Sequence, residues 1–578
     1  MKSITLIFSL WCVWLPALSA SISIVQPPIW DADEMGGVIS LELDWLTVEP
    51  GFGGPAFETR ALGGSFPGPT IAVSAGTTLH VKFTNNLIRQ DSAKLTSEGS
   101  SRRNMFNDPD TGNLHFHGAH VTSVLPGDDT TVAVKPGDSY DYLIPFMENH
   151  APGLHWIHPH HHGSTSLHLG GGAACALIVK DPPGFLPAQV ADAEEVILVM
   201  QDMAIQTLSD ITQYAGDSKF RDSLTKLIDA DVPGHRDMNH QFVTVNGLFE
   251  PTLNVVQGKW QRWRILYAGW QDLALNLEKR DDEAGCEFQL LAKDGVYLND
   301  YPRVIHVLPV PPGGRADIMV RCNKVGSTKI RALSRLAMTI IASENENENE
   351  ADADLVPWTP EMRPDYLQDL NNAPATPGCS CTTEMRGYDD RSYVNFESYV
   401  PGNYFLHTSY LGATVERSLG FEEGHSYHQH VYPFQLVSNE FKDANYFKNG
   451  DWHDTYMDGT HDTLIRYRPT TLPGKIMVHC HNSLHADRGM LAKEYVRDVS
   501  DGDGTTACKC NLFAAIEGDG IVDENLDHEL SHGGESDQEK SNAGTGRRGL
   551  STSIITTIVL VMYFSYDIRT FPFELLGA

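Results

Sequence analysis

The sequence predicts an all-β protein built from several sandwich or barrel domains. Its 578 residues are enough for roughly three or four domains of about 150 residues each. Glycine and proline are frequent, with 50 and 32 residues. They separate short alternating segments, such as those within residues 64–87, and long stretches of helical periodicity are lacking. Short strands between frequent turns are typical of β-sandwiches and barrels.

Composition and patterning divide the chain into seven segments. In chain order they are a signal peptide (1–20), a first β-domain (21–183), a second (184–342), an acidic low-complexity linker (343–377), a third β-domain (378–512), an acidic disordered tail (513–549) and an apolar C-terminal segment (550–578). The first segment has a lysine, an apolar run and small residues, which is typical of a secretory signal. The acidic segments are too polar to form a core.

The apolar C-terminal segment is open to three interpretations. The stretch from Leu550 to Tyr566 carries no charge and reaches the lower length limit of a membrane-spanning helix. Small residues at 542–544 and a spacer precede the apolar tail from Ile554, as in a lipid-anchor signal. The third interpretation is a terminal amphipathic segment packed on the protein. The sequence favours a membrane tether and a secreted or cell-surface location.

The net charge of −32 limits the choice of partners. A strongly acidic surface argues against nucleic acid and other anionic partners. It would also raise the local concentration of cations such as metal ions. Solubility is an equally good explanation of this charge.

The cysteines suggest disulfide bonds, which are expected in a secreted chain. Cys286 and Cys322 lie in strand-like runs of the second domain and are candidates to pair. The motifs CSC and CKC flank the third domain and are expected to cross-link its two ends. CSC contains Cys379 and Cys381, and CKC contains Cys508 and Cys510. Cys175 is the odd cysteine and is expected to be buried and unpaired.

Histidine pairs of the form His-x-His occur four times, in the first and third domains. Residues two apart on a strand point to the same face, so each pair can aim two imidazoles at one place. Four such pairs are not explained by histidines that merely lie on the protein surface. They are His115 and His117, His158 and His160, His428 and His430, and His479 and His481. The second pair lies in a stretch with seven histidines, Asn149–Gly172.

Cys480 lies between two of these histidines, His479 and His481. On a strand its side chain points to the face opposite theirs. The cysteine and the two histidines therefore belong to different metal sites, placed back to back and joined by the backbone.

Three further residues complete a ligand set around Cys480. His485 and Met490 follow it at intervals of five residues, and His425 lies three residues before His428. One cysteine, two histidines and a weak axial methionine form the ligand set of a blue-copper site. Zinc is the alternative, but zinc sites usually take four firm ligands and methionine is a poor one.

The motifs LHFHG, GLHWIHPHHHG, HSYHQHVYPFQLV and HCHNSLHADRGM resemble those of multicopper oxidases, the family of laccases and ferroxidases, and stand in the family's order. FPGPTI and PPGGRADIMV resemble further family segments. Together the matching segments cover most of residues 21–496. The resemblance implies three consecutive cupredoxin-like Greek-key β-sandwich domains, with a trinuclear copper cluster between the first and the third. The second domain, which lacks histidine pairs, would be a spacer that helps to shape the substrate site.

The resemblance also implies four copper ions and assigns their ligands by motif. The type 1 copper takes His425, Cys480, His485 and Met490; the type 2 copper takes His115 and His428; the type 3 pair takes His117, His158, His160, His430, His479 and His481.

The implied function is a copper-dependent oxidase that couples one-electron oxidation of a donor to the four-electron reduction of O2 to water. Electrons would pass from the type 1 copper through Cys480 to His479 and His481. The partners are O2 and a small reducing substrate, a phenol, an aromatic amine or a metal ion. We expect a phenolic or aromatic, laccase-like donor. The alternatives are a ferroxidase or other metal-ion oxidase, and a non-catalytic copper-binding protein.

Water formation needs a proton donor. Asp128 and Asp129 stand where the family often carries a carboxylate near the cluster, and a turn aspartate is the alternative role. A second carboxylate is common directly after the last type 1 histidine. Here that position is Ala486, with Asp487 next, which puts the second proton route in doubt.

The other histidines of Asn149–Gly172 receive supporting roles. His161 is expected on the face opposite the ligands, and His162 beside them as a supporting residue. His155 and His168 would be neighbours of the site or its channels, and His150 a loop residue.

Overall fold

The computed structural model describes residues 22–49, 54–87, 104–230, 241–271, 274–346, 351–388, 391–402, 404–421, 424–439, 445–457, 463–498, 507–510 and 514–515. The predicted signal peptide, most of the acidic tail and the apolar C-terminal segment lie outside these ranges. Among the described residues, no helix is both long and apolar enough to cross a membrane.

The first β-sandwich consists of a five-stranded sheet, in the order β1-β4-β9-β8-β6, and a four-stranded sheet, β3-β2-β5-β7. Its strands are β1 (Ile29–Asp31), β2 (Val38–Val48), β3 (Phe57–Leu62), β4 (Thr70–Val73), β5 (Thr78–Asn85), β6 (His115–His117), β7 (Ser139–Pro145), β8 (Gly153–His158) and β9 (Cys175–Val179). Strand β5 alternates buried and exposed residues, as the sequence predicts for a strand with one face on a core. Helix α1 (Thr165–Gly170) follows β8.

The second sandwich pairs an eight-stranded sheet with a five-stranded one within the described residues. After the short helix α2 (Ala188–Ala191), its strands are β10 (Glu194–Ala204), β11 (Gln241–Val245), β12 (Leu248–Phe249), β13 (Thr252–Val256), β14 (Gln261–Tyr267), β15 (Leu277–Arg280), β16 (Cys286–Lys293), β17 (Val296–Tyr297), β18 (Arg303–Val304), β19 (Val307–Leu308), β20 (Arg315–Cys322), β21 (Gly326–Ala332) and β22 (Arg335–Ser343).

Two helices, α3 (Ile205–Ala215) and α4 (Ser218–Asp229), follow β10. Neither helix was predicted from the sequence. The Asp217 side chain caps the N-terminus of α4 by accepting from the Phe220 N–H at 3.0 Å. It also forms a buried ion pair with Arg60 of β3. The two helices thus attach the second sandwich to the first.

The third sandwich has a six-stranded sheet, β24-β23-β27-β32-β29-β30, and a five-stranded sheet, β26-β34-β33-β28-β31, among the described residues. Its strands are β23 (Ser380–Tyr388), β24 (Arg391–Val394), β25 (Tyr404–Phe405), β26 (His407–Tyr410), β27 (Val415–Phe421), β28 (Ser426–Gln429), β29 (Phe434–Ser438), β30 (Trp452–His453), β31 (Thr455–Met457), β32 (Thr463–Tyr467), β33 (Gly474–Cys480), β34 (Leu491–Arg497) and β35 (Ala514–Ala515). Helix α5 (Ser483–Asp487) separates β33 from β34.

The predicted all-β fold class is confirmed. The strands of the three sandwiches fall within or next to the three predicted domains, and the exact boundaries remain a prediction. The described part of the acidic linker is folded onto the protein. Asp352 accepts the Trp260 N–H at 2.7 Å, and Leu367 and Leu370 are buried. Polar contacts of Asp352 and burial of these leucines thus attach the segment to the folded domains.

The disulfide candidates pair as the cysteine positions indicated. Cys286 and Cys322 are register partners on β16 and β20 and form a disulfide bond. The CSC and CKC motifs form two bonds, Cys379–Cys508 and Cys381–Cys510. Cys175 is buried without a disulfide bond, as expected.

Candidate metal centre

The sheet registers bring the four histidine pairs together. His115 on β6 is the register partner of His158 on β8. His428 on β28 is likewise the partner of His479 on β33 in the third sandwich. Because each of these strands carries a second histidine at or just beyond its end, eight imidazoles meet between the two domains. Rings from different domains stack, with centroids 3.7 Å apart for His117 and His428.

The Nε2 atoms of three of the eight imidazoles converge. His479 Nε2 lies 3.1 Å from His160 Nε2 and 3.2 Å from His430 Nε2. All three rings are buried. Burial lowers the pKa of His479 to about 4, so the ring is neutral and offers a lone pair at neutral pH. Three converging neutral nitrogens are a metal-binding arrangement.

Other imidazoles have one nitrogen held by the protein and the other without a hydrogen-bond partner. His158 Nδ1 donates to the Pro159 carbonyl at 3.0 Å, and His428 Nδ1 to the Asp454 carbonyl at 2.8 Å. Their buried Nε2 atoms have no partner. A buried polar atom without a partner is costly unless it binds something, so these nitrogens fit metal ligation.

In His117 the two ring nitrogens exchange these roles: Nε2 contacts the protein and Nδ1 has no partner. Its Nε2 lies 3.3 Å from Asp454 Oδ1 and 3.2 Å from Thr455 Oγ1, and its Nδ1 is buried without a partner. His481 has neither nitrogen hydrogen-bonded.

A second cluster lies behind β33. Cys480 Sγ is 3.7 Å from His425 Nδ1 and 3.8 Å from His485 Nδ1, and the two Nδ1 atoms are 3.1 Å apart. Met490 is fully buried, and its carbonyl accepts the Cys480 N–H at 3.1 Å. Helix α5 positions His485, and the Asn482 side chain caps that helix by accepting the Leu484 N–H at 3.0 Å.

The structure distinguishes the two candidate proton donors. Asp128 is buried, lies 2.9 Å from His115 Nδ1 and accepts the Phe116 N–H at 3.1 Å. Burial raises the pKa of Asp128 well above its usual range. Asp129 instead accepts from the backbone N–H and hydroxyl of Thr131, at 2.9 and 2.6 Å, which is the role of a turn aspartate. Both residues line a narrow cavity that also reaches His430.

Asp487 follows Ala486, the position at which the family often carries the second carboxylate. Its side chain is hydrogen-bonded to the first domain. It accepts from Gly163 N–H at 2.7 Å and from the Ser166 N–H and hydroxyl at 2.8 and 2.7 Å. Burial raises its pKa to about 6.

The remaining histidines of Asn149–Gly172 have separate surroundings. His162 Nε2 lies 3.1 Å from Asn104 Oδ1, and His168 Nε2 donates to the Thr111 carbonyl at 2.8 Å. His150 is buried and accepts the His120 N–H at 2.9 Å, although it lies outside any strand, as expected of a loop residue.

Sequence reasoning missed three buried charged residues beside the eight imidazoles. Asp454 contacts His117, and Arg315 and Asp294 reach it from the second sandwich. The second domain therefore contributes directly to the walls of this site. The segment PPGGRADIMV, which resembles a family segment and contains Arg315, was the available signal.

Comparison with known proteins shows similarity to the multicopper oxidases. The family model described as multicopper oxidase matches residues 408–500, which contain both histidine pairs of the third domain and Cys480. The chain carries a multicopper oxidase domain.

Multicopper oxidase relatives extend this match along the chain. A multicopper oxidase from Staphylococcus aureus is 21% identical and covers 75% of this chain and 83% of its own length. Laccase-1 from Thanatephorus cucumeris is 24% identical over 46% of this chain and 41% of its own length. The solved structure of a multicopper oxidase from Campylobacter jejuni, described as a metallo-oxidase, has a TM-score of 0.59 and 18% identity, covering 82% of this chain and 95% of its own.

These matches confirm the resemblance, and the three cupredoxin-like sandwiches of the multicopper oxidases confirm the fold. The relatives are named multicopper oxidases and laccases, which confirms the predicted enzyme class of copper-dependent oxidoreductase. Copper also fits the donor sets. A thiolate with imidazoles suits copper, and the partnerless buried nitrogens of the eight-imidazole cluster are neutral donors.

Proposed function

We propose that the protein is a multicopper oxidase that oxidises a donor one electron at a time and reduces O2 to water at a trinuclear cluster. The observation that carries this proposal is the pair of back-to-back clusters on β33. The cysteine cluster contains His425, Cys480 and His485, and the eight-imidazole cluster begins at the neighbouring residues. When bound, copper supplies electron acceptance from the donor at the first cluster and reduction of O2 at the second.

We propose four copper ions with the ligands assigned by motif. His425, Cys480, His485 and Met490 would hold the type 1 copper. Asp128 supports His115 as a metal ligand, since its carboxylate holds Nδ1 and leaves Nε2 without a partner. The full set beyond type 1 is His115 and His428 for type 2, and His117, His158, His160, His430, His479 and His481 for type 3.

The protein backbone connects the two clusters over a short distance. Cys480 is covalently adjacent to His479 and His481. In addition, His479 Nδ1 donates to the Cys480 carbonyl at 2.9 Å, which adds a hydrogen-bonded contact to the covalent one. These residues separate the donor site from the O2 site while keeping them electronically connected.

We propose Asp128 as the residue that supplies protons. Burial raises the pKa of the Asp128 carboxyl group and so favours its protonated form, and the residue contacts His115 directly. The narrow cavity beside it is also lined by His430.

For the donor, we propose a phenolic or aromatic compound. Support comes from the sequence relative named a laccase. A metal ion such as Fe(II) is the second candidate, favoured by the net charge of −32 and by the structural neighbour described as a metallo-oxidase. A non-catalytic copper-binding role is the third, and the complete set of candidate ligands argues against it. A secreted or cell-surface location is supported by three disulfide bonds.

The deciding experiment measures oxygen consumption by the copper-loaded protein with a phenolic donor and, separately, with Fe(II). Saturable phenol oxidation is the expected result. Saturable Fe(II) oxidation with negligible phenol turnover would replace the proposed donor by a metal ion. A blue protein that consumes no oxygen with either donor would contradict the enzymatic function.

A further inference from the structure

The second sandwich places a fully buried arginine beside the eight-imidazole cluster. Arg315 begins β20, and its guanidinium forms a two-pronged ion pair with Asp454 of the third sandwich. The Nη1–Oδ1 distance is 2.7 Å. Paired, planar contacts of this kind fix a carboxylate in orientation as well as in position.

Asp454 in turn contacts histidines from two domains. Its Oδ1 lies 3.3 Å from Nε2 of His117, and its backbone carbonyl accepts from Nδ1 of His428 at 2.8 Å. Thr455 adds a contact, since its hydroxyl donates to Asp454 Oδ1 at 2.8 Å and lies 3.2 Å from His117 Nε2. With its Nε2–H held by the carboxylate, His117 keeps Nδ1, which has no partner, as its lone-pair nitrogen.

A second carboxylate, Asp294 of the second sandwich, contacts both Arg315 and the Asp454 segment. Asp294 Oδ1 accepts the Arg315 N–H at 2.9 Å. Its Oδ2 lies 3.3 Å from the Asp454 N and 3.4 Å from the Thr455 N. The segment that contacts the histidines is therefore fixed from the second sandwich through its side chain and its backbone.

Two glycines allow this close approach. Gly118 directly follows His117 at a φ of +81°, and a Cβ there would overlap the Arg315 guanidinium. Gly313, at a φ of +83°, lies where a Cβ would come within 2.6 Å of the His481 ring. Both positions favour glycine for backbone conformation and for space.

We propose that Arg315 is a positioning residue for the trinuclear copper site. It holds Asp454 so that the carboxylate orients His117 and leaves Nδ1 free for the metal. The second domain thereby becomes a structural part of the site, although the proposed ligands all come from the first and third domains. This inference rests on the proposed function. It concerns how the site is held together and is independent of which donor is oxidised.

The test compares Arg315→Lys with Arg262→Lys in the copper-loaded full chain. Lysine keeps the charge but cannot reproduce the two-pronged contact. Arg262 is a matched control: it is buried in the same sandwich, on β14, and forms ion pairs with Asp181 and Asp317. The readouts are bound copper per chain, the blue absorption of the type 1 copper, and the electron paramagnetic resonance signal of the type 2 copper.

We expect Arg315→Lys to retain the blue absorption but to hold the trinuclear coppers about 10- to 100-fold more weakly, with an altered type 2 signal. Arg262→Lys should match the wild type. Trinuclear copper retention and a type 2 signal equal to those of the control would overturn the inference. If Arg315→Lys does not fold, Asp454→Asn takes its place: it keeps the shape, removes the charge that the two-pronged contact needs and leaves Arg315 paired with Asp294, with the same two outcomes.

The wild-type protein separates this inference from the proposed function. If the wild type itself loads no trinuclear copper, the proposed function fails. If the wild type loads it and the Arg315 variant loads it equally, only the positioning role fails.

Discussion

The Sγ atom of Cys480 lies 3.7 Å from Nδ1 of His425, on the face of β33 opposite the eight imidazoles. We expect Cys480→Ser to abolish both the blue absorption and oxygen consumption, because serine cannot supply the soft thiolate. The trinuclear coppers should remain bound, since their ligands are untouched. Copper analysis together with the absorption spectrum checks this.

Cys175→Ser is the matched control for that variant, because Cys175 is also a buried free cysteine but lies on β9 of the first domain. It should keep the blue absorption and the turnover. Turnover by Cys480→Ser would disprove the proposed route of electrons.

Replacement of His160 should separate the two copper clusters. His160 Nε2 lies 3.1 Å from His479 Nε2, so His160→Gln removes one of three converging nitrogens. We expect oxygen consumption to fall by more than about 100-fold, while the blue absorption persists. His161→Gln, at the next position, should cost much less. Similar losses in the two variants would contradict the ligand register within Asn149–Gly172.

Asp128 and Asp129 should differ sharply in their effect on turnover. Asp128→Asn keeps the shape but removes the proton, and we expect oxygen reduction to slow by about 100-fold or more. The rate at which the donor bleaches the blue absorption without oxygen should not change, because that step needs no proton from Asp128. Asp129→Asn should disturb only the turn at Thr131. Equal effects of the two variants on oxygen reduction would reject Asp128 as the proton donor.

His150 should make the fold sensitive to acid. Burial lowers the pKa of His150 to about 4, and both ring nitrogens are used in the neutral form, with Nε2 accepting from His120 and Nδ1 donating to Ala151. Because the folded-state pKa lies below the unfolded value of about 6.5, the stabilisation is complete above pH about 6.5 and is lost as the pH falls toward 4. The full loss is about 3 kcal/mol.

The measurement is the free energy of unfolding against pH for the wild type and for His150→Gln. The variant should have lower stability at neutral pH and a shallower decline between pH about 6.5 and 4. Parallel curves would show that His150 does not contribute to the acid sensitivity.

Several features of the site could be predicted from short-range patterns. Strand alternation placed Cys480 and its neighbouring histidines on opposite faces, and the cysteine positions indicated the disulfide candidates. Helices α3 and α4 escaped prediction because their short amphipathic segments stand between strand patterns, and the packing that stabilises them, such as the Arg60–Asp217 ion pair, joins residues far apart in sequence.

The sequence by itself determined which side chains this protein offers to metal, since His-x-His on a strand and the Cys480 ligand set depend only on spacing and backbone periodicity. Tertiary structure alone decided how those side chains are held. Asp128, and not Asp129, lies against His115, and Arg315 reaches Asp454 from another domain. The Arg315–Asp454 contact depends on how separate sandwiches pack, and local periodicity carries no information about the distance between residues that are 139 positions apart.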